Sequence, residues 1–227
     1  MSRIYDWACG RLRSFYDARI DTSPVLDRDR YFPEHTLFAA NWQRIRAECL
    51  EVMRDMGAVP QFHELMAEQE VLSMHGNLFW RLFVLRAYGV DHHANQAKCP
   101  FITSLFKTRT AIQSVTLSFL EGHKHIPAHR GPFRGVLRYH LGLVIARNAD
   151  GAPSNRMQID GAMHALHEGE DLLWDDTYVH EVWNDSDSVR AALLIDVIRP
   201  QMPLLPALVT RLVLLAVGIA VRVRGLR

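Results

Sequence analysis

Two histidines in strand-like segments, followed by an arginine, are the residues of this chain best suited to chemistry. His129 is followed by the motif RGP, His180 lies in the segment TYVHEVW, and Arg190 begins the next apolar run. Imidazole nitrogens bind transition metals, and the planar guanidinium of arginine matches a carboxylate through two parallel hydrogen bonds. This combination predicts a metal site of the kind that holds iron, beside a pocket for an organic acid.

The carboxylate that usually completes such a site is absent from its expected position. Iron sites of this kind use two histidines and an acid that lies two residues after the first histidine. Here that position is Gly131, which has no side chain to bind a metal. Asp176 is a candidate acceptor for a metal-bound water or, alternatively, the cap of a turn. His123 and His125 match no common structural zinc spacing, and we interpret them as rim or loop residues.

The elements that would position these residues change in character after Lys107. Downstream, short apolar runs alternate with turn clusters rich in Asn, Asp and Gly, which is typical of a sandwich or jelly roll. Successive residues of a strand point to opposite faces, so Arg138 and His140 are expected on the same face. The predicted strands are residues 114–120, 135–146, 156–160, 172–174, 180–183 and 189–198.

The first part of the chain has helical spacing instead. Apolar residues recur every three or four positions over residues 36–57, residues 101–107 also have a helical pattern, and residues 77–89 fit either a strand or a helix. We therefore predict an α+β fold with a double-stranded β-helix (jelly-roll) core and an apolar C-terminal helix. Its predicted parts are a helical N-terminal region (1–106), the β-helix domain (107–201) and an apolar, basic tail (202–227).

Composition narrows the partners and the compartment. A formal net charge of +1 provides no overall field that would attract phosphate backbones, so we expect no nucleic-acid partner. The three cysteines are widely spaced and odd in number, which fits free thiols in a reducing compartment. The first residues lack the apolar core of a signal peptide, and the expected localisation is cytoplasmic.

The C-terminal tail adds a possible contact with a membrane. Residues 202–221 are apolar except for one charge at Arg211, and Arg222, Arg224 and Arg227 follow. The length just suffices to span a bilayer, but a central charge opposes insertion. The pattern favours peripheral association with the cytoplasmic face of a membrane, and spanning the membrane or packing on the protein are the alternatives.

The histidine motifs also carry a family resemblance. The stretches HRGPFRGVLRYHLGLVI and WDDTYVHEVWND, together with the closing DVIRP, resemble the aspartyl/asparaginyl β-hydroxylase family, which includes bacterial lipid A 2-hydroxylases. The similar region covers residues 107–200. The resemblance implies Fe(II) as the metal, 2-oxoglutarate as the cosubstrate and molecular oxygen as the co-reactant. One oxygen atom hydroxylates a C–H bond, and the other enters succinate as 2-oxoglutarate loses CO2.

The same resemblance implies a role for each polar residue of the motifs. His129 and His180 match the two iron ligands, which would make them the catalytic metal site. Gly131 is similar to the equivalent position in peptide-modifying members, where water takes the third place. The residues that match cosubstrate contacts are Arg190 and Ser118 for the distal carboxylate of 2-oxoglutarate, and Arg138 and His140 for its other carboxylate.

Two substrate classes and one non-enzymatic role remain open. Gly131 favours β-hydroxylation of aspartyl or asparaginyl side chains in a peptide, which is the leading expectation. The apolar tail favours a lipid acyl chain, such as that of lipid A or an amino-lipid. Val136 also favours a lipid. It should lie on the pocket face, at a position where a peptide hydroxylase would need a basic residue to hold the acidic side chain, and valine is apolar. The missing acid would also suit a metal-binding, cupin-like module without turnover.

Overall fold

Two antiparallel β-sheets pack against each other at the centre of the protein. The structure, a computed structural model, describes residues 3–65 and 78–225, with residues 3–6 described by their backbone alone. Apolar side chains from both sheets, including Leu120, Trp174 and Val182, meet in the space between them. Together with the surrounding helices, this arrangement confirms the predicted α+β fold with a jelly-roll core.

The larger sheet supplies the face on which the expected cosubstrate residues lie. In the last strand, Leu193, Ile195 and Val197 enter the main apolar core, while the alternate residues face the smaller sheet. Among the described residues its strands are β1 (Val25–Leu26), β2 (Trp80–Ala87), β3 (Val90–Asp91), β4 (Ile112–Leu120), β6 (Val136–Val144), β9 (Asp171–Trp174) and β11 (Arg190–Ile198). They lie in the order β1-β9-β6-β11-β4-β2-β3.

The smaller sheet carries both histidines of the predicted metal site. Its described strands are β5 (His125–His129), β7 (Asn155–Ile159), β8 (Ala162–His164) and β10 (His180–Asn184), in the order β5-β10-β7-β8. His129 ends β5, and His180 begins β10. The two strands are antiparallel neighbours, so their register places the two histidines directly opposite each other.

Helices cover the outer face of the larger sheet. The described ones before β4 are α1 (Arg3–Asp17), α2 (Arg28–Tyr31), α3 (His35–Ala39), α4 (Trp42–Met53), α5 (Phe62–Leu65), α6 (His93–Lys98) and α7 (Pro100–Phe106), with a 3₁₀ turn at Met56–Ala58. Ile45 and Cys49 of α4 and Ile102 and Phe106 of α7 are fully buried in the main core. The buried faces of α4 and α7 therefore pack against the larger sheet from outside.

In the first part of the chain, the structure corrects one predicted helix and one predicted boundary, and it decides between a strand and a helix where the sequence left both open. The helix expected over residues 36–57 is divided between α3 and α4, because the Asn41 side chain donates a hydrogen bond to the Leu37 carbonyl where the helix ends. Residues 80–91 form a hairpin, in which Tyr88 and Gly89 have positive φ angles of 47° and 76°. Three strands before residue 107 thus join the larger sheet, which extends across the boundary predicted there.

The C-terminal helix α8 (Leu204–Arg224) packs on the protein along a narrow stripe. Its buried residues, Pro206, Thr210, Leu214 and Gly218, recur every four positions. By length and composition it is the one described helix able to cross a membrane, with a mean hydropathy of 2.3 over its most apolar window. One such helix is weak evidence for a membrane span, because core helices of soluble proteins satisfy the same test.

Candidate active site

The two predicted metal ligands form a close pair. The ring centroids of His129 and His180 are 4.0 Å apart, and the ring of Trp174 packs edge-on against His180 at 4.6 Å. His180 is buried, whereas His129 is half-buried. The strand register therefore brings together two imidazoles that are distant in the sequence, as the shared-metal hypothesis requires.

Both histidines are held in the form that binds metals. His129 Nδ1 lies 2.8 Å from the Pro127 carbonyl oxygen, and His180 Nδ1 lies 2.9 Å from the Tyr178 carbonyl oxygen. A carbonyl can only accept, so in each ring Nδ1 carries the proton and Nε2 keeps its lone pair. Burial lowers the pKa of both imidazoles, and the pKa of His180 falls well below its usual value. Neutral rings with free Nε2 lone pairs suit a shared metal ion.

The Asp176 carboxylate occupies the space that a side chain at Gly131 would need. A Cβ atom added at Gly131 would lie 2.2 Å from Asp176 Oδ1, and the Gly131 N–H donates to the Asp176 carbonyl oxygen at 2.6 Å. Oδ1 is buried and has no hydrogen-bond partner within the described part of the chain. Burial raises the pKa of this carboxyl to about 7, against the opposing effect of Arg138. An acid from the turn before β10 thus fills the space that a side chain at position 131 would take.

Asp175, rather than Asp176, caps the turn before His180. Its Oδ1 accepts hydrogen bonds from the Thr177 N–H at 3.0 Å and the Thr177 hydroxyl at 2.6 Å. Its Oδ2 accepts from Arg134 Nε at 2.8 Å and also from Arg199. All four side chains are buried. This ionic network fixes the turn that carries Asp176. The capping role considered for Asp176 therefore belongs to Asp175.

A buried cation without a carboxylate partner lies on the larger sheet. Arg190 is buried and forms no ion pair with any described residue, although its Nη2 donates to His140 Nε2 at 2.6 Å. Its Nε is buried without a partner in the same set of residues. Burial lowers the pKa of Arg190 to about 10, so the group stays charged at neutral pH. An uncompensated buried charge is costly, and the position suits an anionic ligand.

His140 supplies a second free donor beside Arg190. Because Arg190 donates to Nε2, the proton of the neutral ring resides on Nδ1. This Nδ1 is buried and lacks a partner among the residues described. Burial, followed by Arg190 and Arg138, lowers the pKa of His140 well below its usual value. His140 and Arg190 therefore each keep one buried N–H group without an acceptor in the described part of the chain, and a carboxylate oxygen is a suitable acceptor for such a group.

Ser118 lies on the same face, one row along from Arg190. It pairs across the sheet with Ala192, and its Oγ accepts a hydrogen bond from Trp80 Nε1 at 3.0 Å. The hydroxyl hydrogen is thereby left for a further acceptor. The predicted distal-carboxylate pair, Arg190 and Ser118, is thus on one face.

Arg138 forms ion pairs with two carboxylates of the site. It forms a bidentate ion pair with Asp196 at 2.9 and 3.2 Å and lies 3.4 Å from Asp176. Although burial opposes ionisation, these two carboxylates raise its pKa above the usual range. Arg138 and His140 share a face as predicted, but the structure pairs His140 with Arg190 and Arg138 with Asp196.

The remaining sequence candidates lie outside this cluster. Val136 was expected to face the pocket, but it is buried with Phe133 and Leu214 beneath α8, because α8 covers that end of the sheet. His123 lies 2.7 Å from the Asp187 carboxylate, and His125 lies 2.9 Å from the Glu181 carboxylate. No set of three His, Cys, Asp or Glu residues arranged to hold a metal occurs within residues 3–65 and 78–225.

The sequence also matches the model of a known protein family. The family model described as aspartyl/asparaginyl beta-hydroxylase matches residues 39–200, which include every site residue above. The chain belongs to the aspartyl/asparaginyl β-hydroxylase family. As a family member, it is related to hydroxylating enzymes, and the matched range also covers the helices α4 to α7 before the motif region.

The relatives of this β-hydroxylase family member act on different molecules. The ornithine lipid ester-linked acyl 2-hydroxylase of Rhizobium tropici is 31% identical over 183 residues, 81% of this chain and 63% of that protein. The aspartyl/asparaginyl β-hydroxylases of Mus musculus and Homo sapiens are each 29% identical over 71% of this chain, and over 21% and 20% of their own length. The chain thus spans less than two thirds of each of these curated relatives.

Solved structures that resemble the β-hydroxylase family member do so only in part. The cupin domain of Schizosaccharomyces pombe Cnp3 covers 55% of this chain and 70% of that domain at a TM-score of 0.35 and 6% identity. A predicted oxalate decarboxylase from Thermotoga maritima covers 40% of this chain and 71% of its own at a TM-score of 0.33 and 11% identity. At these scores the likeness says nothing about the reaction.

Proposed function

We propose that this protein is an Fe(II)- and 2-oxoglutarate-dependent hydroxylase that acts on the acyl chain of a membrane lipid. The observation that carries the reaction class is the buried Arg190 guanidinium, which has no carboxylate partner among the described residues. A dicarboxylate cosubstrate would supply the missing counter-charge. Without such a ligand, the fold would retain an uncompensated charge for no structural gain.

The residues of the site fit both absent groups. His129 and His180 would hold Fe(II) through their Nε2 atoms, since each Nδ1 is engaged by a carbonyl. Arg190, Ser118 and His140 offer N–H and O–H donors for 2-oxoglutarate. When bound, iron and 2-oxoglutarate would supply the oxidative chemistry that converts a C–H bond into an alcohol with molecular oxygen.

The chain's own side chains would bind, orient and exclude water. Asp176 can accept a hydrogen bond from a water at the site through Oδ1, which has no described partner. Arg138 adds positive charge between the two clusters and steadies Asp176 at 3.4 Å. Trp174 packs on His180 and shields that ring from solvent. A dry, fixed surrounding of this kind protects a reactive site from side reactions.

A lipid acyl chain is the substrate class that the surroundings favour. Val136 precedes Arg138 on the same face of β6 by one pleat, about 7 Å along the strand, and it is buried beneath the apolar helix α8. The apolar helix α8 therefore lies beside the end of β6 that carries Arg138. The relative with the largest overlap reported above is named for acyl 2-hydroxylation of an ornithine lipid. We place the enzyme at the cytoplasmic face of the membrane, where its three free cysteines would stay reduced.

The test is succinate release from 2-oxoglutarate with Fe(II), with and without a membrane lipid extract. We expect the extract to stimulate release, and mass spectrometry to find lipids that have gained one oxygen atom. Arg190→Ala should raise the 2-oxoglutarate requirement by about 10- to 100-fold, the loss expected for a charge-assisted clamp. Arg156→Ala, which removes an exposed arginine paired with Asp185, is the matched control. Unchanged cosubstrate affinity in the Arg190 variant would contradict the proposal.

Hydroxylation of an aspartyl or asparaginyl side chain in a peptide is the second candidate. Gly131 favours it, because the space of the usual acid is filled by Asp176 and a water is left as the third ligand, as in the peptide-modifying members. The mammalian relatives are named for this activity. Stimulation of succinate release by acidic peptides, and none by lipid extract, would replace the lipid proposal with this one. No turnover with either, despite metal binding, would favour a cupin-like binding module.

A further inference from the structure

The C-terminal helix α8 exposes a broad apolar face along its whole length. Leu204, Leu212 and Val223 are 76%, 65% and 82% exposed, and the other exposed large apolar residues of the helix are Leu205, Leu208, Leu215 and Ile219. Helices on the surface of a soluble protein normally present polar residues there. A helix of this length extends for about 30 Å, and exposed apolar residues occur along all of it. Single, scattered apolar residues are normal on a protein surface, but a continuous stripe of this length is not.

The opposite side of α8 is firmly packed on the protein. Tyr16 of α1 forms a hydrogen bond of 2.7 Å between its hydroxyl and the Thr210 hydroxyl. A Cβ atom at Gly135 would lie 2.4 Å from Thr210 Oγ1, so only glycine allows this close approach. Leu214 is buried with Phe133 in the same apolar cluster. The exposed face is therefore the outer side of a docked helix.

The charges on α8 are all positive. No acidic residue lies between Leu204 and the last described residue, Gly225. Arg211 and Arg222 are exposed, and at 3.6 residues per turn they lie about three turns apart on one border of the apolar stripe. Arginine side chains on such a border can reach anionic headgroups while the stripe contacts acyl chains.

We infer that the exposed face of α8 is a docking surface for a bilayer that contains anionic lipid, with the helix lying in the plane of the membrane. Spanning the bilayer instead would place Arg211 near the middle of the hydrocarbon and would uncover Tyr16 and Phe133. Binding of the protein to vesicles can be measured without iron or cosubstrate. The outcome is therefore independent of whether the proposed reaction is correct.

Vesicle flotation of the full-length protein tests the surface. We expect binding to vesicles of phosphatidylcholine with phosphatidylglycerol, weaker binding at high salt, and much weaker binding to phosphatidylcholine alone. The pair Leu212→Glu and Leu215→Glu, combined in one protein, should reduce binding more than tenfold. Met163→Glu, at an exposed apolar residue of β8, is the matched control and should bind normally. Equal binding by the two proteins would overturn the inference.

A charge variant and a labelling experiment test the orientation. Arg211→Gln should weaken binding to anionic vesicles about fivefold and leave binding to phosphatidylcholine unchanged. In a Cys9→Ser background, Gln201→Cys and Arg224→Cys should each react with a membrane-impermeant maleimide added outside the vesicles. Protection of one end until detergent is added would show a spanning helix.

A detergent-free dimer that dissociates in the Leu212/Leu215 variant, without vesicle binding by either protein, would assign the surface to a second copy. Either result overturns the inference.

Discussion

At the scale of single residues, the site depends on which ring nitrogens carry protons. His129 and His180 each commit Nδ1 to a backbone carbonyl, and His140 commits Nε2 to Arg190. The first two rings therefore offer lone pairs, and the third offers a proton. In the proposed function, these opposite tautomers would let two of the histidines bind a metal and the third bind an anion.

We expect His180→Ala to lower the affinity for Fe(II) by about 100-fold or more and to abolish turnover. Loss of a residue that only orients a metal ligand costs about 10- to 100-fold in metal affinity, and loss of the ligand itself should cost more. His123→Ala is the matched control, since that histidine pairs with Asp187 outside the pocket. Calorimetric titration of metal under anaerobic conditions, alongside succinate release, measures both effects. Equal metal affinity in the two variants would show that His180 is not a ligand.

We also expect Gly131→Ala to destabilise the protein by about 1–3 kcal/mol, because the new methyl group would overlap the Asp176 carboxylate. Adding Asp176→Ala should relieve the overlap, so the double variant should be more stable than the sum of the single changes predicts. Urea unfolding measures each free energy. Gly57→Ala is the control, because a Cβ atom there meets nothing within 4 Å. Strict additivity would contradict the packing described.

At the scale of elements, the turn before β10 determines where Asp176 lies. Asp175 anchors this turn to Arg134 from the segment before β6 and to Arg199 after β11. Three separate parts of the chain thus converge on one buried carboxylate. Such networks add little net stability when complete, but they are costly to break because the remaining charges stay buried.

We therefore expect Asp175→Asn to lower the free energy of unfolding by about 3–5 kcal/mol. Asp185→Asn, which breaks the exposed ion pair with Arg156, should cost no more than about 1 kcal/mol. Chemical denaturation followed by circular dichroism compares the two variants. A similar, small loss in both would mean that the buried network contributes little to the turn.

At the scale of the whole molecule, the site lies between the two sheets and takes residues from both. The proposed metal ligands, His129 and His180, belong to the smaller sheet, whereas Arg190, Ser118 and His140 belong to the larger one. Ligands that bridge the two sheets bind the folded state alone. Their binding therefore adds to the stability of the complete jelly roll rather than to either sheet.

Fe(II) with 2-oxoglutarate, supplied anaerobically at about 100 times their dissociation constants, should stabilise the fold by about 2.7 kcal/mol per site. For a chain of this size, that free energy corresponds to a rise in Tm of roughly 5–10 °C. Differential scanning calorimetry should show that Arg190→Ala retains the increase due to metal and loses the increase due to 2-oxoglutarate. A wild-type protein with no shift would contradict cosubstrate binding.

The sequence by itself predicted six strands after Lys107, namely β4, β6, β7, β9, β10 and β11, the shared face of Arg138 and His140, and the pairing of His129 with His180, whereas it missed β5 and β8. The predicted features follow from local periodicity and from motifs, which do not depend on distant contacts. The strand β2 (Trp80–Ala87) escaped this reasoning, because the sequence around it fits either a strand or a helix, and pairing with β4 makes it a strand.

Only the tertiary structure decided how the charged groups combine. Asp176 fills the space beside Gly131, Asp175 joins two arginines, and His140 pairs with Arg190 rather than acting with Arg138. Each of these contacts joins residues far apart in the chain, and sheet register, turn geometry and burial set them. No periodicity encodes which distant carboxylate a buried arginine will meet, so partner choice emerges only when the two sheets and α8 are packed together.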